Sequence, residues 1–441
     1  TVDEQSDIIR LVHYTTQEYF QRTCTSWFPN AHREIATSCL TYLSFDAFEA
    51  GSCPTDEKFE ARLCQYPVYS YAARNWGHHC RTQDVEDKLA SCLLGNASKL
   101  DACVQGIFAE QQVRGYSGYS QEIPKQFTGL HLAAFFGLEG IAQRLVESTK
   151  DQTDATDSSG RTPLSWAAES GHEAVTEILL KNGADPDSGG DSGRTPLLWA
   201  ARRGHDRIVQ ILLEVGVDPD SRDEYYRTPL SYAASHGYEA IAKLLLGTQV
   251  EADSKDDEGR TPLSWAAYYG HEGVVRLLLE MGVDPMSKDV YGMTPVSYAA
   301  LNGCGNVVRI LLEKGVDPDT KDEDGQTPLS HAASSGREEV VRLLIERGVD
   351  LDSQDNEGRS PSAWAAYYGH GPVVRLLLER GADPHSGLPV PTGAVAAIRT
   401  KPDEDESRRR LYSRLYACSL STLIPEQDSS GSGSKHEAGF I

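Results

Sequence analysis

The residues with the means to do chemistry are few, and each sits in a context that speaks against a reaction centre. Gly190-Asp191-Ser192-Gly193 has the local form of a nucleophilic-serine turn. Such a serine needs a histidine base and an orienting acid, and no such partners recur around the corresponding turns of the neighbouring segments. His172, His205, His271 and His370 recur at one position of a repeating pattern, which would suit a row of metal ligands. Adjacent repeat copies stand about 10 Å apart, the spacing of packed helices, too far to share a zinc ion with bonds near ~2 Å. His78-His79-Cys80 sets a thiol beside imidazoles that could activate it for acyl transfer, but no surrounding cysteine cluster or membrane-spanning segment accompanies it. A Gly-x-x-x-x-Gly-Lys-Ser/Thr phosphate loop and a His-Glu-x-x-His zinc helix are both missing from the sequence. The expectation is a chain without catalytic residues, cofactor or metal.

Composition narrows the partners. The 441 residues carry 65 acidic against 42 basic side chains, a net charge of -23. That charge repels a phosphate backbone, so nucleic acid is not expected as a partner. No stretch approaches the roughly 18 to 20 apolar residues that span a bilayer, and the start, TVDEQSDIIR, is acidic where a secretory signal is basic. A cytosolic chain, monomeric in isolation, is expected. Because residue 1 is Thr rather than Met, a fragment of a longer protein is expected as well. The nine cysteines include seven between Cys24 and Cys103, none closer than eleven residues to the next, which reads as buried reduced thiols rather than Cys-x-x-Cys pairs.

What must position these residues is a repeat. The Thr or Ser that opens a Thr-Pro-Leu phrase falls at Thr128, Thr162, Thr195, Thr228, Thr261, Thr294, Thr327 and Ser360, one step of 34 followed by six of 33. Eight repeats follow, at 123–156, 157–189, 190–222, 223–255, 256–288, 289–321, 322–354 and 355–387. In the fifth, Thr261 suits the N-cap of a helix beginning at Pro262, whose missing N–H costs nothing there. Leu263, Ala266 and Ala267 form a narrow apolar stripe on which a neighbouring helix can lie closely. Gly270 fits the left-handed residue that ends the helix, and His271 opens a second one carrying Val274, Val275, Leu277, Leu278 and Leu279. Gly282, Asp284 and Pro285 close it, and Asp289-x-x-Gly292 suits the tight turn of a projecting finger. One such unit buries too little to offset its chain entropy, so stability must come from the interfaces between repeats. Eight units at about 10 Å each would make an array about 80 Å long.

The phrase resembles the ankyrin repeat, usually T-P-L-H-x-A-A, then G-H and a leucine-rich helix, and the likeness covers about 265 of the 441 residues. The Ser-Trp variant at Ser165-Trp166 and Ser264-Trp265, with Ala363-Trp364, is similar to fungal arrays. The resemblance implies an all-α solenoid that binds protein through its fingers and first helices. Departures stand at Gly129, in place of Pro, and at Ser362, in place of Leu, as expected of terminal repeats that face solvent. Tyr226 replaces the finger glycine, predicting an altered finger there.

Comparing the repeats with one another separates fixed framework from variable positions. The two residues before the helix-ending glycine differ most, among them Arg202-Arg203, Tyr268-Tyr269 and Tyr367-Tyr368, and finger tips vary at Tyr225 and Tyr291. Tyr and Arg are the types that most often dominate binding energy. The expected partner-binding residues are Arg202, Arg203, Tyr225, Tyr268, Tyr269, Tyr291, Tyr367 and Tyr368.

Residues 1–122 read as a mostly helical domain, with helices near Ile35 to Leu43 and Val85 to Leu94. Leu11 to Phe20 and Pro67 to His79 resemble the helical region that follows the nucleotide-binding module in fungal NACHT-ankyrin proteins, which implies an intracellular signalling sensor whose switch lies upstream of Thr1. A plain helical cap on the array is the alternative. Residues 388–441 read as a capping segment and a Ser/Gly-rich tail expected to be disordered. Within them Ser407 to Leu415 suits a short basic helix or an import signal. The function expected is a non-enzymatic protein-interaction module. The alternatives are an accessory region of an enzyme or NTPase whose catalytic domain precedes residue 1, and a nuclear regulator.

Overall fold

The computed structural model describes residues 2–3, 8–9, 30–81, 87–109, 117–148, 152–383 and 386. Leu11 to Phe20, Ser407 to Leu415 and the Ser/Gly-rich tail lie outside the described residues. The fold is all-α: 21 α-helices among the described residues, beside one antiparallel pair of two-residue strands in which Val2 faces Ile9 and Asp3 faces Ile8. Two compact units result, residues 1–188 and 189–441.

In the first unit, α1 (Ala31–Leu43), α2 (Asp56–Gln65), α3 (Tyr69–Cys80), α4 (Asp87–Leu94) and α5 (Ala97–Phe108) precede two repeats. The first repeat is α6 (Gly129–Phe136) with α7 (Glu139–Ser148), the second α8 (Pro163–Ser170) with α9 (Glu173–Lys181). One hydrophobic core runs from Ala36 to Ala184. Phe48 stacks on Tyr69 at 5.0 Å, Trp76 meets Phe136 edge-on at 5.2 Å, and Phe108 lies 5.5 Å from Trp166. Offset and edge-to-face pairs of this kind add about 1 kcal/mol each beyond the area they bury. Buried Gln105 donates to the carbonyls of Cys53 at 3.0 Å and Ser120 at 2.9 Å, tying α5 to two loops.

The helices before the array therefore cover its first repeat, and this explains Gly129 differently from solvent exposure. A Cβ at Gly129 would lie 3.0 Å from the carbonyl oxygen of Leu94 and 3.1 Å from its Cβ. Proline is missing from this helix start because α4 ends against it. At the other departure Ser362 is buried, and its hydroxyl lies 2.9 Å from that of Ser360, so the hydroxyl replaces leucine's bulk with a local hydrogen bond.

Among its described residues the second unit holds six helix pairs. They are α10 (Pro196–Arg203) with α11 (Asp206–Val215), α12 (Pro229–His236) with α13 (Glu239–Leu246), α14 (Pro262–Tyr269) with α15 (Glu272–Glu280), α16 (Pro295–Asn302) with α17 (Gly305–Glu313), α18 (Pro328–Ser334) with α19 (Glu338–Glu346), and α20 (Pro361–Tyr367) with α21 (Gly371–Glu379). First helices pack on first helices and second on second. Each start is built as the local sequence dictates: in α14 the Thr261 hydroxyl accepts the Ser264 N–H at 3.2 Å, Pro262 is the first helical residue, and Gly270 ends the helix at φ +77°. Leu263, Ala266, Ala267, Val275 and Leu278 are wholly buried. Such burial is worth about 1.5–3 kcal/mol for each large aliphatic side chain.

Candidate partner-binding surface

Six of the fingers are each organised by one aspartate. In the fifth repeat, Oδ1 of Asp256 accepts the N–H of Glu258 at 3.1 Å and of Arg260 at 2.8 Å, while Oδ2 accepts the Trp265 indole N–H at 3.0 Å. The same carboxylate-to-ring bond joins Asp157 to Trp166 (2.9 Å), Asp223 to Tyr232 (2.6 Å), Asp322 to His331 (2.8 Å) and Asp355 to Trp364 (3.0 Å), and also joins Asp289 to Tyr298. Trp, Tyr and His interchange at this site because each carries a ring-borne donor at the same reach. Burial pushes the Tyr232 phenol up to about 12, so it remains a donor. The arginine of the Arg-Thr-Pro phrase lies over the ring: Arg161 is 3.6 Å from Trp166, Arg260 4.2 Å from Trp265, and Arg359 4.0 Å from Trp364. Where the ring is Tyr298 or His331, Met293 or Gln326 takes the arginine's place.

Neighbouring fingers are hydrogen-bonded to one another within the second unit. The N–H of Glu224 donates to Ser192 O at 2.9 Å, Asp257 to Tyr225 O at 3.0 Å, Val290 to Glu258 O at 3.0 Å, Glu323 to Tyr291 O at 3.0 Å and Asn356 to Asp324 O at 2.9 Å. Gly190 to Gly193 is one of these fingers: Gly193 N–H donates to Gly190 O at 2.8 Å. Behind them, His271 donates its Nε2 proton to Ser235 O at 3.0 Å, and His370 to Ser334 O at 2.9 Å. In the first unit His172 does the same to Phe135 O at 3.0 Å. These three histidines tie their second helices to the preceding repeat. In the same register Arg337 donates its Nε proton to Leu301 O at 3.1 Å.

The family model for ankyrin repeats in three copies matches residues 99–190, 186–256, 230–322 and 314–387. The chain belongs to the ankyrin-repeat family. Neurogenic locus notch homolog protein 1 of Danio rerio is 30% identical over 118 residues, which are 27% of this chain and 5% of that protein. The chain thus matches a small part of that relative's length.

On this ankyrin scaffold the expected site residues separate into groups. Tyr268, Tyr269 and Tyr291 come together: Tyr268 and Tyr269 meet edge-on at 4.8 Å, Tyr269 stacks parallel to Trp265 at 6.1 Å, and Tyr268 and Tyr291 pack on Met293, Tyr298 and Leu301. Tyr225 joins this patch through Arg227, whose guanidinium is 5.4 Å from the Tyr225 ring and 5.0 Å from Trp265. Tyr367 and Tyr368 repeat the arrangement around Trp364 and are 43% and 42% exposed. They stand three repeats beyond Tyr268. Arg203 is exposed. Arg202 is only 8% exposed, with its guanidinium 5.6 Å from Trp199 and 5.9 Å from Tyr232, so it belongs to the packed framework rather than the contact surface.

Tyr226 leaves its finger unaltered, contrary to the expectation from sequence. It adopts φ +59°, the left-handed conformation of Gly259 (+78°) and Gly292 (+75°), and closes the same turn, with its N–H 2.9 Å from Asp223 O. Its ring is 58% exposed at the fingertip. Reading the sequence for variability alone overlooked both this ring and the finger aspartates. An Asp nine residues before every Trp, Tyr or His of six repeats was the available signal.

Proposed function

We propose that this ankyrin-repeat chain is a non-enzymatic protein-binding module whose contact residues are Arg203, Tyr225, Tyr226, Tyr268, Tyr269, Tyr291, Tyr367 and Tyr368. The observation that carries the reading is the state of Tyr268 and Tyr269, partly exposed yet held by ring contacts to Trp265, Tyr298 and each other. Aromatic side chains already fixed before binding lose little entropy on contact, which favours affinity. As a finer reading, the module serves as the ligand-reading part of an intracellular signalling sensor. It is supported by the likeness of Pro67 to His79 to the connecting region of NACHT-ankyrin proteins and by the core that those helices share with the first two repeats.

The test is affinity capture from cytosolic extract with the full chain, in parallel with a chain in which Tyr268, Tyr269, Tyr367 and Tyr368 are Ala. A protein captured by the first and lost from the second supports the reading. Equal capture by both removes these tyrosines from the binding surface.

A further inference from the structure

The fingertips of the second unit combine exposed aromatic rings with one sign of charge. Tyr225 and Tyr226 head the fourth repeat's finger and Val290 and Tyr291 the sixth's, with Tyr225, Tyr226 and Val290 exposed at 41%, 58% and 59%. The tips between and beyond them carry Glu224, Asp257, Glu258, Glu323, Asp324 and Glu357, and no tip position there carries a cation. The cations at the finger bases are engaged within the chain. Arg260 lies over Trp265 and pairs with the tip carboxylate of Glu258, Arg359 lies over Trp364 and pairs with Glu357, and Arg227 lies between Tyr225 and Trp265. Lys255, Lys288 and Lys321 each donate to a backbone carbonyl one repeat further on, at 2.8, 2.7 and 2.8 Å. The backbone ladder between fingers holds this edge in one arrangement before any partner arrives.

We propose that the finger edge from Glu224 to Glu323 receives an extended basic segment of a partner protein, its Arg or Lys side chains set against the carboxylates of Glu224, Asp257 and Glu323 and over the faces of Tyr225, Tyr226 and Tyr291. The inference rests on the protein-binding reading above and names the chemistry of the partner. Electrostatic complementarity selects the sign of the segment, and the tyrosine faces favour a cation over a neutral side chain. Spacing favours an extended chain. Fingers follow one another at about 10 Å, which an extended chain in the polyproline-II conformation covers in one turn of three residues at about 3.1 Å each, so a cation at every third residue stays on one face and meets successive fingers.

The experiment measures fluorescence anisotropy of a labelled Arg-Gly-Gly repeat peptide with the full chain, beside the same peptide with citrulline in place of arginine and an acidic Glu-Gly-Gly peptide. The arginine peptide is expected to bind and the other two not. The variant Glu224→Gln, Asp257→Asn, Glu323→Gln should weaken binding about tenfold, at a fraction of a kcal/mol per exposed pair. Equal neutralisation on the second helices, Glu214→Gln, Glu280→Gln, Glu313→Gln, should leave binding unchanged. Tyr225→Ala with Tyr291→Ala should cost about tenfold, and the Tyr→Phe pair should retain binding, since the ring face is what attracts the cation. Equal loss in the two charge variants would reduce the effect to overall net charge and overturn the proposal, as would binding of the citrulline or acidic peptide. No binding of the arginine peptide, with partner capture still dependent on Tyr268 and Tyr269, would overturn the basic-segment chemistry alone and leave the protein-binding reading standing.

Discussion

The indole N–H of Trp265 and the Oδ2 atom of Asp256, 3.0 Å apart, join the first helix of the fifth ankyrin repeat to its own finger. The carboxylate is wholly buried and also holds two backbone N–H groups of the turn, so finger and helix are fixed by one side chain. Trp265→Phe removes one donor from a buried carboxylate and should lower stability by about 1–3 kcal/mol. Asp256→Ala, which leaves four donors without this acceptor, the Arg260 Nε at 3.2 Å among them, should cost more. The urea midpoint of each variant checks the order, and a Trp265→Phe midpoint equal to the parent's would show that the indole bond contributes nothing.

Gly190 stands in the third repeat where six other repeats have the finger aspartate. Its hairpin is still formed, by Gly193 N–H to Gly190 O at 2.8 Å, so the position accepts the backbone geometry the carboxylate would need. Gly190→Asp should therefore add hydrogen bonds to the turn, as Asp256 makes with the N–H groups of Glu258 and Arg260 in the fifth repeat. A gain of about 1 kcal/mol is expected. A fall in the thermal midpoint would mean that desolvating the carboxylate outweighs its bonds.

Tyr226 adopts the backbone of a glycine at φ +59° while exposing its ring. The left-handed conformation costs a side-chain-bearing residue about 1–2 kcal/mol, and glycine's greater unfolded-state freedom returns part of that. Tyr226→Gly should raise stability by about 0.5 kcal/mol while weakening partner binding. Calorimetry reads the first effect and peptide anisotropy the second. A variant that is less stable would contradict the strain.

His271 predicts a pH dependence. Burial holds its imidazole below the ordinary value of 6.5, and the bond to Ser235 O offsets this only in part; His236 and His131 are shifted in the same direction by burial. The unfolded chain thus takes up protons first as pH falls through 6.5, so the stability contributed by the neutral rings is present above that value and is lost towards the lower folded values. Asp289, raised by burial, acts with the opposite sign and nearer the carboxylate range. The urea midpoint should fall between about pH 7.5 and about pH 5.5, and His271→Gln should make that fall shallower. An unchanged slope in the variant would remove His271 as a contributor.

The sequence by itself determined the number of repeats, the helix starts at Thr-Pro, the helix ends at glycine and the finger turns. All of these arise from interactions within a few residues of one another, such as the Thr261 cap on Ser264 and the turn from Asp289 to Gly292. It also carried the Asp-to-ring pairing at a separation of nine residues, though only as an unexplained recurrence. Tertiary structure alone decided which variable residues reach the surface. Arg202 and Arg203 are neighbours of one type in one helix, yet Arg202 is covered by rings from its own and the next repeat while Arg203 is exposed. Gly129 answers to Leu94, thirty-five residues earlier, and His271 to a carbonyl thirty-six residues back. Burial of a side chain depends on the elements packed over it, and local propensity carries no record of those neighbours.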